Sequence, residues 1–213
     1  MASRGPSRSF FDLWSQTYDN PVVQAVTYRP VQDAVLRGLE RQRPRRVLDV
    51  GCGTGLLTTR VADALGAEMV GCDYSWGMIS RARRRSPVPS WVVADAMALP
   101  VDDGSVDAVV CTESFHWYPD QVLALREFGR VLAPGGRLYV ALVNPPLESM
   151  SELTRRASSR YGQPFHWPTS ARLRSMVTAA GLRVVRQQRV VRFPSVLLFP
   201  AVLTVAERPG SGR

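Results

Sequence analysis

Three glycines at alternate positions, Gly51, Gly53 and Gly55, close the hydrophobic segment VLDVGCGTG. A loop of this kind lets the backbone approach a ligand closely. A dinucleotide-binding loop of the pattern GxGxxG would place its last glycine at position 56, where this chain has Leu56. Asp49 stands two residues before the first glycine, and its carboxylate would repel a pyrophosphate but suit a cationic amino group. The spacing therefore favours an uncharged or cationic ligand over NAD.

The elements that must position this loop alternate between hydrophobic, strand-like runs and helix-like segments. Strands are predicted at residues 46–50, 69–73, 91–94, 106–111 and 137–143. With helices between most of them, this alternation predicts a mainly parallel sheet that binds ligands at the carboxyl ends of its strands. Two further β-rich runs, residues 182–193 and 196–206, predict a hairpin that closes one edge of the sheet.

Length and composition limit the class of protein. A chain of 213 residues, 45% of them hydrophobic, fits one domain. No hydrophobic run is long enough to span a membrane and the N-terminus lacks the core of a signal peptide, so we expect a cytoplasmic protein. The cysteines Cys52, Cys72 and Cys111 form no CxxC pair, and the two histidines, His116 and His166, are far apart. We therefore expect buried thiols and no metal site.

The positive charge is carried by arginine alone, and it gives a formal net charge of +9. Clusters at residues 41–46, 81–85 and 183–192 could form a phosphate-binding surface. They are dispersed along the chain and lack interleaved aromatic residues that would stack on bases. We interpret them as solvated faces and do not expect nucleic-acid binding.

The segment DVGCGTG, residues 49–55, resembles the glycine-rich motif of class I S-adenosylmethionine-dependent methyltransferases. Later motifs of that family are resembled, in the expected order, by CDYSWGMISRA, VADAMALP and REFGRVLAPGGRL. The resemblance is nearest to the branch of quinone C-methyltransferases and of malonyl-carrier-protein and trans-aconitate O-methyltransferases. It implies a single-domain, Rossmann-like, doubly wound α/β fold. The expected sheet has seven strands in the order 3-2-1-4-5-7-6, with the last strand antiparallel.

The resemblance also implies a domain division and a cofactor site. Residues 1–30 would be a tail and a helical lid, residues 31–208 the methyltransferase domain and residues 209–213 a disordered tail. The cofactor would be S-adenosylmethionine, with its ammonium facing Asp49 and its ribose hydroxyls donating to Asp73, although Asp73 could instead cap the following helix. The other positions assigned to the cofactor are Tyr18, Gly51, Gly53, Tyr74, Met78, Asp95, Ala96 and Thr112.

The chemistry implied by the resemblance is an in-line transfer of a methyl group to a small organic acceptor, by O- or C-methylation and without a metal. His116 could serve as a general base or could form a wall of the acceptor pocket. Trp14, Trp117 and Trp167 are assigned to the same pocket. Two alternatives stay open: an RNA or protein methyltransferase that uses the arginine-rich surface, and a non-catalytic relic that binds the cofactor. The sequence does not identify the acceptor or the oligomeric state.

Overall fold

The computed structural model of the chain describes residues 28–159, 165–190 and 201–210. In chain order the elements are α1 Arg29–Gln42, β1 Arg46–Val50, α2 Leu56–Leu65, β2 Glu68–Asp73, α3 Trp76–Arg85, β3 Ser90–Val93, β4 Val106–Thr112, a short 3-10 helix Phe115–Trp117, α4 Gln121–Val131, β5 Leu132–Val143, α5 Glu148–Ser159, α6 Ser170–Ala179, β6 Arg183–Val190 and β7 Ala201–Glu207.

The strands form one sheet in the order β3-β2-β1-β4-β5-β7-β6. The first five strands pair in parallel, and β7 is antiparallel to both β5 and β6. The predicted fold class, strand order and antiparallel last strand are therefore confirmed. The pairing of β6 with β7 also confirms the hairpin-like edge, although its connection, residues 191–200, lies outside the described residues.

Both faces of the sheet are buried, as expected when helices cover each side of a parallel sheet. Alternate residues of β1 point to opposite faces, so Val47 joins one hydrophobic cluster and Leu48 the other. The cluster around Val47 contains side chains of α1 and α2, whereas the cluster around Leu48 contains side chains of α4 and α6. Within the described residues, no helix is long and apolar enough to cross a membrane.

Helix α2 begins and ends at glycines in the left-handed conformation, Gly55 with φ +78° and Gly66 with φ +61°. The two positions differ in their surroundings. A Cβ on Gly55 would lie 2.4 Å from Cη2 of Trp91, whereas a Cβ on Gly66 would meet no atom within 4 Å. Trp91 also packs on Gly71, where a Cβ would lie 2.5 Å from its Cζ3. The indole on β3 therefore limits Gly55 for a reason independent of any ligand.

These two helix ends give a matched test of that packing. Gly66→Ala should lower the free energy of unfolding by about 1 kcal/mol, because a side chain is strained in the left-handed region. Gly55→Ala carries the same strain and adds about 1–3 kcal/mol, because its methyl group overlaps Trp91. Urea denaturation of both variants measures the difference. Equal destabilisation would contradict the assigned role of Trp91.

Candidate functional site

The glycine loop turns over the carboxyl ends of β1 and β2. The backbone N–H groups of Gly51 and Cys52 both donate to the carbonyl of Cys72, at 2.8 and 3.0 Å. The N–H of Gly53 donates to Oδ2 of Asp73 at 2.9 Å. These bonds tie the loop to the end of the neighbouring strand, which brings the predicted cofactor residues Gly51, Gly53 and Asp73 together.

Asp73 is held by the backbone on both carboxylate oxygens. Oδ2 accepts from Gly53, and Oδ1 accepts from the N–H of Ser75 at 2.9 Å. Helix α3 is capped by Ser75, whose Oγ accepts from the N–H of Met78 at 3.1 Å. The alternative that Asp73 caps this helix is therefore wrong. Because a carboxylate oxygen can accept more than one hydrogen bond, these contacts orient Asp73 without excluding a ribose.

Asp49 is buried at the end of β1. Its Oδ2 accepts a hydrogen bond of 2.6 Å from Oγ1 of Thr58, and its Oδ1 has no partner within the described part of the chain. Burial raises the pKa of Asp49 to about 7; the Thr58 bond opposes this shift and the nearby charge of Asp73 adds to it. A buried carboxylate with an unsatisfied oxygen is costly unless a donor reaches it.

A small cavity of about 20 Å³ lies against this carboxylate. Its lining residues are Tyr28, Val31, Gln32, Asp49, Gly51, Cys52, Leu56, Leu57, Thr112 and Glu113. A space of this size holds about one water-sized group, so it suits the polar end of a ligand. Three predicted cofactor residues, Asp49, Gly51 and Thr112, thus meet at one cavity.

Gly51 is confined by side chains of the segment that follows β4. It has φ +71°, and a Cβ there would lie 2.3 Å from Oγ of Ser114 and 3.0 Å from the hydroxyl of Tyr118. The Ser114 hydroxyl lies 3.2 Å from the carbonyl of Val50 and 3.1 Å from the Tyr118 hydroxyl. Sequence reasoning missed this support because Ser114 lies 64 positions after Val50 and no local pattern links the two residues.

Asp95 follows β3, the strand next to β2. The N–H of Ala94 donates to the carbonyl of Asp73 at 3.0 Å, so Asp95 lies close to the end of β2. Its Oδ1 accepts from the N–H of Met97 at 2.9 Å, which closes a tight turn around the buried Ala96. Of the other predicted cofactor residues, Met78 is buried and Tyr74 is 41% exposed. Tyr18 lies outside the described residues.

A group of aromatic rings covers the ends of β4 and β5. His116 is buried, and the centroid of its ring lies 5.0 Å from the ring centroid of Trp117, 5.8 Å from that of Phe165 and 5.4 Å from that of Trp167. Phe165 and Trp167 stack at 5.2 Å with an interplanar angle of 8°. We call these four residues the aromatic cluster. It unites the predicted acceptor residues His116, Trp117 and Trp167 and adds Phe165, whereas Trp14 lies outside the described residues.

Polar contacts hold the aromatic cluster together. The N–H of His166 donates to the carbonyl of His116 at 2.8 Å. The side-chain amide of Gln121 donates to the carbonyls of Phe115 and His166 at 3.1 and 2.6 Å. The segment after β4 and the segment before α6 are therefore joined into one wall. Burial, followed by the charges of Arg155 and Arg172, lowers the pKa of His166.

Burial disfavours the thiolate form of the three cysteines. Cys72 and Cys111 are buried and Cys52 is partly buried, and all three are free. Burial raises the pKa of each thiol, for Cys111 to about 12, so the reactive thiolate is scarce. Within the described residues, no group of three His, Cys, Asp or Glu side chains could hold a metal ion.

Several clustered arginines make internal contacts. Arg83 donates to the carbonyl of Trp91 at 3.0 Å, and Arg85 donates to the carbonyl of Thr54 at 2.9 Å, which ties α3 to the glycine loop. Arg46 pairs with Glu68 at 3.0 Å. Part of the arginine content thus serves local structure.

Comparison with known proteins gives related sequences. Residues 48–140 match a family model described as a methyltransferase domain. The chain is 38% identical to the demethylmenaquinone methyltransferase of Beutenbergia cavernae, over 64% of this chain and 57% of that protein. It is 40% identical to the malonyl-[acyl-carrier protein] O-methyltransferase of Halorhodospira halophila, over 68% of this chain and 50% of that protein. The matched region spans about half the length of these relatives.

A solved structure gives the same fold over nearly the whole chain. A chain of the complex between the Haloferax volcanii Trm112 methyltransferase activator and a methyltransferase superposes with a TM-score of 0.78, at 24% identity. The superposition covers 97% of this chain and 99% of that chain. The predicted resemblance to methyltransferases is confirmed by the family model and by the named relatives.

The buried Asp49 carboxylate predicts a pH-dependent stability. A carboxyl group whose pKa is raised by folding holds more protons in the folded state, so its contribution to the free energy of unfolding falls as pH rises from about 4 to 7. Asp49→Asn imitates the protonated group and should be about 1–3 kcal/mol more stable than the wild type at pH 8. Its advantage should disappear near pH 4. Chemical denaturation across this range measures the difference, and an advantage independent of pH would contradict the assignment.

Proposed function

We propose that the protein transfers a methyl group from S-adenosylmethionine to a small organic acceptor. The premise is the match of residues 48–140 to a methyltransferase domain. The observation that carries the proposal is the unsatisfied Oδ1 of the buried Asp49 beneath the glycine loop. A ligand ammonium would satisfy this oxygen, and it would favour the ionised carboxylate that burial disfavours.

The described residues fit the proposed cofactor. Asp49 would accept from its ammonium, and Asp73, oriented by Gly53 and Ser75, would accept from its ribose hydroxyls. Asp95 and Ala96, at the end of the next strand, are proposed to meet its adenine. When bound, the cofactor supplies a methyl group on a positively charged sulfur. The protein's task is to orient the acceptor, and alignment of two reactants can lower a barrier by roughly 7–11 kcal/mol in favourable cases.

The aromatic cluster is the proposed wall of the acceptor pocket. It lies beyond the ends of β4 and β5, and ligands bind at the carboxyl ends of strands in this class of fold. Stacked rings present flat apolar surface, which suits a planar or apolar acceptor. The relatives' names mention demethylmenaquinone and a malonyl-acyl-carrier protein, so both C- and O-methylation remain within the proposal.

Loss of the Asp73 carboxylate tests the cofactor site. Asp73→Ala should weaken binding of S-adenosylmethionine by about 10- to 100-fold, because it removes a charged hydrogen-bond acceptor of roughly 1.5–3 kcal/mol. Asp107→Ala is the matched control, since Asp107 also accepts from backbone N–H groups, those of Arg45 and Arg46, at the amino ends of β4 and β1. Isothermal titration calorimetry compares the two variants. Equal affinities for S-adenosylmethionine would contradict the ribose assignment, and no binding by the wild type would contradict the proposed function.

His116 separates catalysis by a base from shaping of the pocket. Labelled S-adenosylmethionine and a panel of quinols, phenols and carboxylic acids would first identify an acceptor. If His116 removes a proton, His116→Ala should lower turnover about a hundredfold or more, and the defect should shrink as pH rises and the acceptor ionises unaided. A fall below tenfold with an unchanged pH profile would assign His116 to the pocket wall. Methylation of RNA or protein alone would contradict a small acceptor.

A further inference from the structure

Gln32, on α1, is a polar residue beside Asp49 in the lining of the cavity. The side chain is buried and lines the cavity, and its Oε1 accepts a hydrogen bond of 3.0 Å from Nη1 of Arg60 on α2. Because a guanidinium only donates, this contact fixes the orientation of the amide, so the Nε2 donor points away from Arg60. Nε2 has no hydrogen-bond partner within residues 28–159, 165–190 and 201–210.

Arg60 is itself fixed by a second contact. Its Nη2 pairs with Oδ1 of Asp33, the neighbour of Gln32 on α1. The guanidinium therefore joins α1 to α2 and forms an ion pair with Asp33. It reaches the cavity through the amide of Gln32 and does not line the cavity itself.

We propose that Gln32 is a specificity-determining residue that donates, through Nε2, to the carboxylate of an α-amino acid group whose ammonium is accepted by Asp49. Arg60 is the positioning residue that holds the amide. This inference rests on the proposed function and deepens it, because it assigns the recognition of the amino-acid end of the cofactor to a residue on α1.

A neutral donor suits this position better than a cation. An arginine or lysine beside Asp49 would pair with its carboxylate and would compete with the ligand's ammonium. An amide donates to a carboxylate without neutralising Asp49. Asp49 and Gln32 together would select a zwitterion, whereas Asp49 alone would accept any amine of the right size.

Two ligands that differ by one carboxylate test the inference: S-adenosylmethionine and its decarboxylated form. Gln32→Leu keeps the size of the side chain and removes the donor. We expect it to raise the Kd for S-adenosylmethionine about 10-fold or more and to change the Kd for the decarboxylated form less than about 2-fold. Gln32→Glu keeps an acceptor for Arg60 but places a negative charge beside the ligand's carboxylate. The Kd for S-adenosylmethionine should therefore rise, relative to that for the decarboxylated form, at least as much as in Gln32→Leu.

Control variants separate this role from the joining of two helices. Asp33→Asn weakens the hold of α1 on Arg60 but leaves the donor in the cavity, so both affinities should stay near those of the wild type. Arg60→Met frees the amide of Gln32. It should raise the Kd for S-adenosylmethionine more than the Kd for the decarboxylated form, but by less than the Gln32 variants do. Melting temperatures report whether each variant is folded.

The outcomes distinguish the inference from the function on which it rests. Selective loss of S-adenosylmethionine in both Gln32 variants supports the inference. If affinity for the two ligands fell equally, or for neither, while the wild type still bound S-adenosylmethionine, the role of Gln32 would be overturned. Failure of the wild type to bind either ligand would overturn the proposed function, and the inference with it.

Discussion

The burial of one carboxylate is the constraint on which the site depends. Asp49 lies one residue before the end of β1, which pairs with a parallel strand on each side, and the residue is only 1% exposed. One oxygen is satisfied by Thr58 and the other is left for a donor that the described residues do not supply. The buried carboxylate therefore lowers the stability of the ligand-free protein, and a bound cation would offset this cost.

The glycine loop is shaped as much by protein packing as by a ligand. Ser114 and Tyr118 press on Gly51 from the segment after β4, and Trp91 presses on Gly55 from β3. Residues of β3 and of the segment after β4 thus pack against the loop that follows β1. Any side chain added at either glycine would move the backbone that faces the Asp49 cavity, so packing in the fold and geometry in the site are coupled.

The sequence predicted the framework well where a local pattern determines it. The predicted limits of β1 coincide with Arg46–Val50, because a hydrophobic run that ends at the first glycine of the loop defines this strand. The carboxylates near the ends of β1 and β2 were also predictable, since strand ends in a parallel sheet meet at one edge. The assignment of the helix cap to Ser75 and not to Asp73 needed the hydrogen bond between Ser75 and Met78, which no sequence pattern gives.

Contacts between distant side chains were beyond the sequence. The approach of Ser114 to Gly51, the packing of Trp91 on Gly55 and the orientation of Gln32 depend on which residues of separate elements face one another. Hydrophobic periodicity gives the face that each element buries, but it does not give the partner of a particular polar atom. The joining of Phe165 to the aromatic cluster belongs to the same class, because its ring partners His116 and Trp117 lie nearly 50 residues earlier.

Proton release on ligand binding tests the central claim most directly. At pH 6 the amino group of S-adenosylhomocysteine is already protonated, whereas Asp49, with a pKa of about 7, is mostly neutral. Calorimetric titrations in two buffers of different ionisation enthalpy count the protons exchanged. The account predicts a net release approaching one proton for the wild type and almost none for Asp49→Asn. Binding without proton release by the wild type, or the same release by both proteins, would contradict the pairing of Asp49 with the ligand's ammonium.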